Sequence, residues 1–135
     1  MLNQLTIKEA HEKIKAKEVS SKELTQACLD RIEATEDKIT ALLAKNFEGA
    51  LEAAEAIDKR IAGGEEITPL MGIPNTIKDI LITDGIETTA ASNMLKGYIP
   101  QFDATVVSKL KNAGGVMLAK NNLDAWALCQ KVCIE

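Results

Sequence analysis

Lys78 and Asp79 are the residues of this 135-residue chain whose types and setting come nearest to chemistry. Lys78 follows Ile77, and Ile80-Leu81-Ile82 follows Asp79. A lysine inside such an apolar segment loses solvation if the segment is a core strand. Desolvation disfavours the charged ammonium, which is one way to turn lysine into a base. The plainer reading is an amine that snorkels to water or pairs with a neighbouring carboxylate. The rest of the inventory is sparse. His11 is the sole histidine and sits among Lys8, Glu9, Glu12 and Lys13. That setting reads as a solvated helix face, without the cleft and poised partner a general base needs. Cys28, Cys129 and Cys133 are odd in number and form no CxxC pair, which argues against a disulfide framework and fits a reducing cytosol. Cys129 and Cys133 have the spacing of one helix face, but no further ligands accompany them, so no metal site is expected.

Four ordered blocks surround Lys78: LMGIPNTIKD (70–79), TDGIETTAAS (83–92), PQFDATVVSKL (100–110) and NAGGVMLAKNNLDAWA (112–127). In composition and spacing they resemble the amidase signature family, and the leading run SSKELTQACLDRIEATEDKITALL resembles its first helices. The resemblance reaches from the N-terminus to about Ala127. It implies an α/β fold, an amidase-signature-type mixed sheet covered by helices, of which only the N-terminal helices and first strands fall in this chain. It also implies a serine–serine–lysine triad, with Lys78 at the position of the catalytic base. Both serines of that triad belong to a Gly- and Ser-rich segment further on. None of Ser20, Ser21, Ser92 and Ser108 matches them, and neither Gly63-Gly64 nor Gly114-Gly115 is followed by serine. The expectation is therefore residues 1–127 as the N-terminal part of an amidase domain, residues 128–135 (LCQKVCIE) as a divergent tail, and no activity from the truncated chain alone.

Within the family the chain looks most like the glutamine-hydrolysing A subunits. These supply ammonia to convert Glu-tRNA(Gln) to Gln-tRNA(Gln). The resemblance implies B and C subunits as partners, tRNA contacted only through the B subunit, and no cofactor in this chain, with ATP and Mg on the B subunit. A stand-alone amidase acting on another carboxamide, and a non-catalytic helical interaction module, remain as alternatives. Thr88, Thr89 and Ser92 are candidates for hydrogen bonding around the cleft. Lys120-Asn121-Asn122-Leu123-Asp124 looks like the family's G-K-T-N-x-D block, with Ala119, Asn121 and Ala125 departing from it. It reads as an exposed strand-to-helix connection near the cleft, capped by Asp124.

Composition agrees with a cytoplasmic globular protein. Apolar content of 46% allows a core, and aromatic content of 3% means the core is built from Ile, Leu, Val and Ala. The net charge of −4, with basic residues scattered, leaves no footprint for direct nucleic-acid binding. No signal-peptide core or membrane-length apolar run is present in the sequence.

The elements that must position Lys78 follow from pattern. Thr6-Ile7-Lys8-Glu9 and Ser20-Ser21-Lys22-Glu23 are capping boxes that open two helices. A possible strand at 39–44 precedes a third helix from about Glu48, with Leu51, Ala54, Ile57 and Ile61 inward and Gly63-Gly64 at its end. Strands are expected at Ile73–Lys78, Ile80–Thr83 and Val116–Ala119, with a turn at Asp84-Gly85. A fourth helix capped by Asp103 would bury Val106, Val107 and Leu110.

Overall fold

The computed structural model describes residues 1–128. Apart from Leu128, the expected tail lies outside that range, as do Cys129 and Cys133. Both capping boxes form. Thr6 Oγ1 accepts from the Glu9 amide while the Glu9 carboxylate accepts from Thr6 N, and Ser20 and Glu23 repeat the exchange. These caps satisfy amides that the first helical turn leaves without partners. They open α1 (Ile7–Lys15) and α2 (Ser21–Ile39). Thr40 ends α2 in the left-handed region at φ 53. Strand β1 (Leu42–Lys45) follows, then α3 (Phe47–Ala62), β2 (Pro74–Lys78), α4 (Thr105–Asn112) and β3 (Val116–Asn121).

The three strands form one sheet in the order β1-β3-β2, with β3 antiparallel to β1 and parallel to β2. The central strand is buried from Val116 to Lys120, and the two outer strands are only partly covered. Central strands covered on both faces read as unbroken apolar runs, which explains Val116-Met117-Leu118-Ala119. On one face, α2 and α3 bring Leu29, Ala50, Ala54 and Ile57 against Met71, Val116, Leu118 and Ala119. On the other, Val107 of α4 meets Ile77 and Met117. A smaller cluster of Ala10, Ile14, Leu24 and Ile73 ties α1 to the start of β2.

One irregularity in the ladder matters for the site. Asn75 pairs with Met117, but Thr76 pairs with Ala119, so Leu118 is an extra residue on β3 opposite β2. An inserted residue shifts the two-residue alternation and re-aims the side chains beyond it. Strict alternation would put Lys120 on the face of Val116 and Leu118. The bulge instead pairs it with Ile77, on the α4 face.

Three expectations fail. Val106 is exposed rather than inward, and Val107 is the buried residue of α4. Residues 80–83 form a turn rather than a strand, with Leu81 N donating to Lys78 O at 3.0 Å. Asp103 does not cap α4. The N-cap is Ala104, and the Asp103 carboxylate accepts from Asp84 N and Lys111 Nζ, so it staples the Asp84-Gly85 turn to the last turn of α4.

Candidate active site

Strands β2 and β3 run parallel, so their C-terminal ends share one edge of the sheet, where Lys78 pairs with Asn121 and Ile77 with Lys120. Ligand chemistry in parallel sheets gathers at this edge. Lys78 is the last residue of β2, and its side chain is exposed. This corrects the expectation of an amine buried by its apolar neighbours. Ile77 turns inward and the Ile80-Leu81 step leaves the strand, so neither covers Lys78. Among the described residues Lys78 has no ion pair and its side chain makes no hydrogen bond.

The buried lysine is Lys120, which corrects its reading as part of an exposed connection. Its side chain is fully inaccessible, and Nζ lies 3.2 Å from Asp79 Oδ1, whose side chain is 1% exposed. Lys120 Nζ also donates to Leu81 O at 2.9 Å and Thr88 Oγ1 at 2.7 Å. Two of its three protons are thus committed to the 81–88 segment. Burial pushes the Lys120 ammonium below the usual lysine range, and the Asp79 carboxylate opposes that shift without cancelling it. Asp79 Oδ1 is within ion-pair distance but off the directions of a hydrogen bond. Its Oδ2 accepts from Thr89 N at 3.0 Å and Thr89 Oγ1 at 2.7 Å.

This network shapes the loop beside Lys78. Ala90 N donates to Asp79 O, and Ala91 N donates to Thr89 Oγ1. Ala90 and Ala91 both sit in the left-handed region, at φ 51 and 54. Two successive alanines there cost about 1–2 kcal/mol each, so the bonds from Asp79 and Thr89 must hold them. Of the three candidate hydroxyls, Thr88 and Thr89 belong to the buried network, and Ser92 caps the short turn at Asn93–Leu95 through Met94 N. Sequence reasoning missed Lys120. The signal was present in two apolar runs ending in opposite charges, TIKD and MLAK, but only the ladder register brings them together.

Elsewhere the candidates are quieter. His11 is half-buried, not on a solvated face, and its Nδ1 has no partner. Burial raises the Cys28 thiol above the ordinary range, which makes it an inert packing group. Among the described residues no group of three or more His, Cys, Asp or Glu side chains could hold a metal, and no helix is long and apolar enough to cross a membrane. Two surface grooves, of about 280 Å³ beside α1–α3 and about 360 Å³ between α3 and Gly114-Gly115, include none of Lys78, Asp79 or Lys120.

A protein-family model described as Amidase matches residues 23–131, and the chain belongs to that family. It is 50% identical over 124 residues to the A subunit of glutamyl-tRNA(Gln) amidotransferase from Cutibacterium acnes, a match covering 92% of this chain and 25% of that protein. The corresponding A subunit from Carboxydothermus hydrogenoformans is 51% identical over 124 residues, covering 92% and 26%. Among solved structures, the native peptide amidase of Stenotrophomonas maltophilia matches with a TM-score of 0.86 at 34% identity, over 91% of this chain and 26% of that one. An amidase family protein from Bacillus anthracis matches at 0.83 and 29%, over 93% and 25%. The chain therefore spans about a quarter of the length of these relatives.

Proposed function

We propose that this chain is the N-terminal part of a glutamine-hydrolysing amidase, the A subunit of a tRNA-dependent amidotransferase, and that Lys78 is its catalytic base. In this reading the whole protein hydrolyses glutamine to glutamate and ammonia. A B subunit, which holds ATP, Mg and the tRNA, uses the ammonia to convert Glu-tRNA(Gln) to Gln-tRNA(Gln), and a C subunit completes the assembly. The observation that carries the reading is the placement of Lys78. It ends β2 at the site edge of the sheet, faces outward, and stands beside a carboxylate that is turned inward to Lys120. The likeness to the amidotransferase A subunits supports the choice of substrate.

The chemistry then needs two serines from residues beyond these 135. Neutral Lys78 takes a proton from the first serine, which takes one from the second. The second serine attacks the carboxamide carbonyl, the proton held by Lys78 returns through the first serine to the departing nitrogen so that ammonia leaves, and water opens the acyl-enzyme. Packing of the serine-bearing residues over Lys78 would supply the desolvation that its exposed position lacks here.

The test compares Lys78→Ala and Lys78→Arg in a protein that joins this chain to the serine-bearing segment. Arginine keeps the charge but cannot serve as a neutral base, so both variants should lose ammonia release from glutamine almost equally. An arginine variant that keeps most of the activity would make Lys78 a structural cation and sink the mechanism. Hydrolysis of other carboxamides in preference to glutamine would favour a stand-alone amidase. The 135-residue chain alone should release ammonia no faster than buffer.

A further inference from the structure

We propose that Lys120 is a positioning residue for Lys78: it neutralises the Asp79 carboxylate and holds it inward, so that the Lys78 amine has no carboxylate partner. The role matters for catalysis only through the reading of Lys78 as a base, on which this inference rests. The backbone ladder runs one residue past Lys78, so the pleat already turns Asp79 to the face opposite Lys78. A set of bonds holds it there. Asp79 N donates to Asn121 O at 3.0 Å, Oδ2 accepts twice from Thr89, and Oδ1 faces Lys120 Nζ at 3.2 Å. Lys120 is in turn anchored by Leu81 O and Thr88 Oγ1. No other ionisable group among the described residues bonds to either member of the pair. The cluster on the α4 face of the sheet, Ile77, Val107 and Met117 with Leu81 and Ile86, is apolar, while Glu87 is engaged by Gly97 N and Asp103 by Asp84 and Lys111.

Electrostatics gives the arrangement its purpose. With Lys120 charged, the pair is neutral and its field at Lys78 largely cancels. Without that charge, a full carboxylate would stand one residue away from Lys78. An uncancelled negative charge beside Lys78 would favour its ammonium form over the neutral amine. Less of the amine would then be neutral at a given pH, which works against a base. The bulge at Leu118 is what delivers Lys120 to this face.

The experiment reads each lysine separately. The intact 135-residue chain is acetylated with trace reagent from pH 7 to pH 11, and the extent at each lysine is measured by mass spectrometry. In Lys120→Met the Lys78 midpoint should rise. Lys120→Gln, which keeps a donor for Leu81 O and Thr88, should shift Lys78 equally. Adding Asp79→Asn to Lys120→Met should return it to the original midpoint, a rescue that loss of packing alone does not produce. An unmoved Lys78 midpoint in a Lys120 variant whose β3 amides remain protected from exchange would overturn the proposal, as would a shift that persists in the double variant. Should the variants fail to fold, the unmodified chain still decides. The ¹⁵N shift of the Lys120 amine at pH 7.5 must be that of an ammonium, and a neutral amine there overturns the proposal. Because no readout depends on turnover, a shifted midpoint in a protein whose Lys78→Arg variant stays active would leave the pairing standing and refute only the amidase mechanism.

Discussion

Replacing Gly114 by alanine tests the geometry that brings β2 beside β3. Gly114 has φ +83, and a Cβ built there would lie 2.9 Å from Met71 Cα, 3.0 Å from its Cγ and 3.1 Å from its Cβ. The first of these is backbone and cannot rotate away. Gly72 N donates to Gly114 O at 2.8 Å, so the two chains are already clamped at this point, two residues before β2 and β3 begin to pair. Alanine would meet two penalties: about 1–2 kcal/mol for a left-handed backbone and about 1–3 kcal/mol for forced repacking. A gain of about 0.4–1 kcal/mol from the stiffer unfolded chain offsets part of this. The expected net loss is about 3 kcal/mol, a large share of the 5–15 kcal/mol that domains of this kind possess. Gly85 supplies the control. Its φ is +71, but a Cβ there meets nothing within 4 Å, so only the conformational penalty applies and the loss should be about 1 kcal/mol or less. Urea unfolding followed by far-UV circular dichroism measures both, and the roughly 2 kcal/mol between them corresponds to about 1 M in midpoint. Equal losses within about 0.5 kcal/mol would show that the Gly114–Met71 approach does not constrain the sheet.

Two further outcomes follow from the caps and the α4 staple. Thr6→Ala and Ser20→Ala should each lower stability by about 1 kcal/mol in the same urea assay, because each leaves helix amides without an acceptor; a change under about 0.3 kcal/mol would mean water replaces the cap at no penalty. Asp103 is stapled to Lys111 and Asp84 N, and although partial burial works the other way, these partners hold its carboxyl below the ordinary range. A lowered carboxyl contributes stability above its unfolded value near 3.8 and loses that contribution as pH falls through the lower folded value. The advantage of the unmodified chain over Asp103→Asn should therefore be complete at pH 6 and shrink below about pH 4. An advantage that is flat with pH would assign the effect to shape rather than charge.

Much of the frame was legible in the residues. Thr6-Glu9 and Ser20-Glu23 are local signals, three residues apart, and local chemistry decides them. The run Val116–Ala119 reads as a buried strand and falls within β3. Ile80–Thr83 misled because apolar character alone does not make a strand: Ile80 is exposed, and the chain turns after Lys78, which lets Leu81 O reach Lys120. Asp103 misled because a carboxylate ahead of a helix can serve a distant amide as well as the nearest one. The strand that ends in Lys78 was readable from its block, while the exposure of that side chain was not, since cover depends on what packs above the strand end. Lys120 was unreadable for a sharper reason: one extra residue in the ladder inverts the face that alternation assigns.

The span of the contacts around Lys120 also orders events in time. The capping boxes join residues three apart, and helices grow from such starts within about a microsecond. Lys120 Nζ bonds a hydroxyl 32 residues earlier and a carbonyl 39 residues earlier, so those bonds wait until the intervening chain has closed into a loop. Closing long loops is what makes chains rich in distant contacts slow to fold. The end of the sheet that carries Lys78 is thus expected to complete after the capped helices.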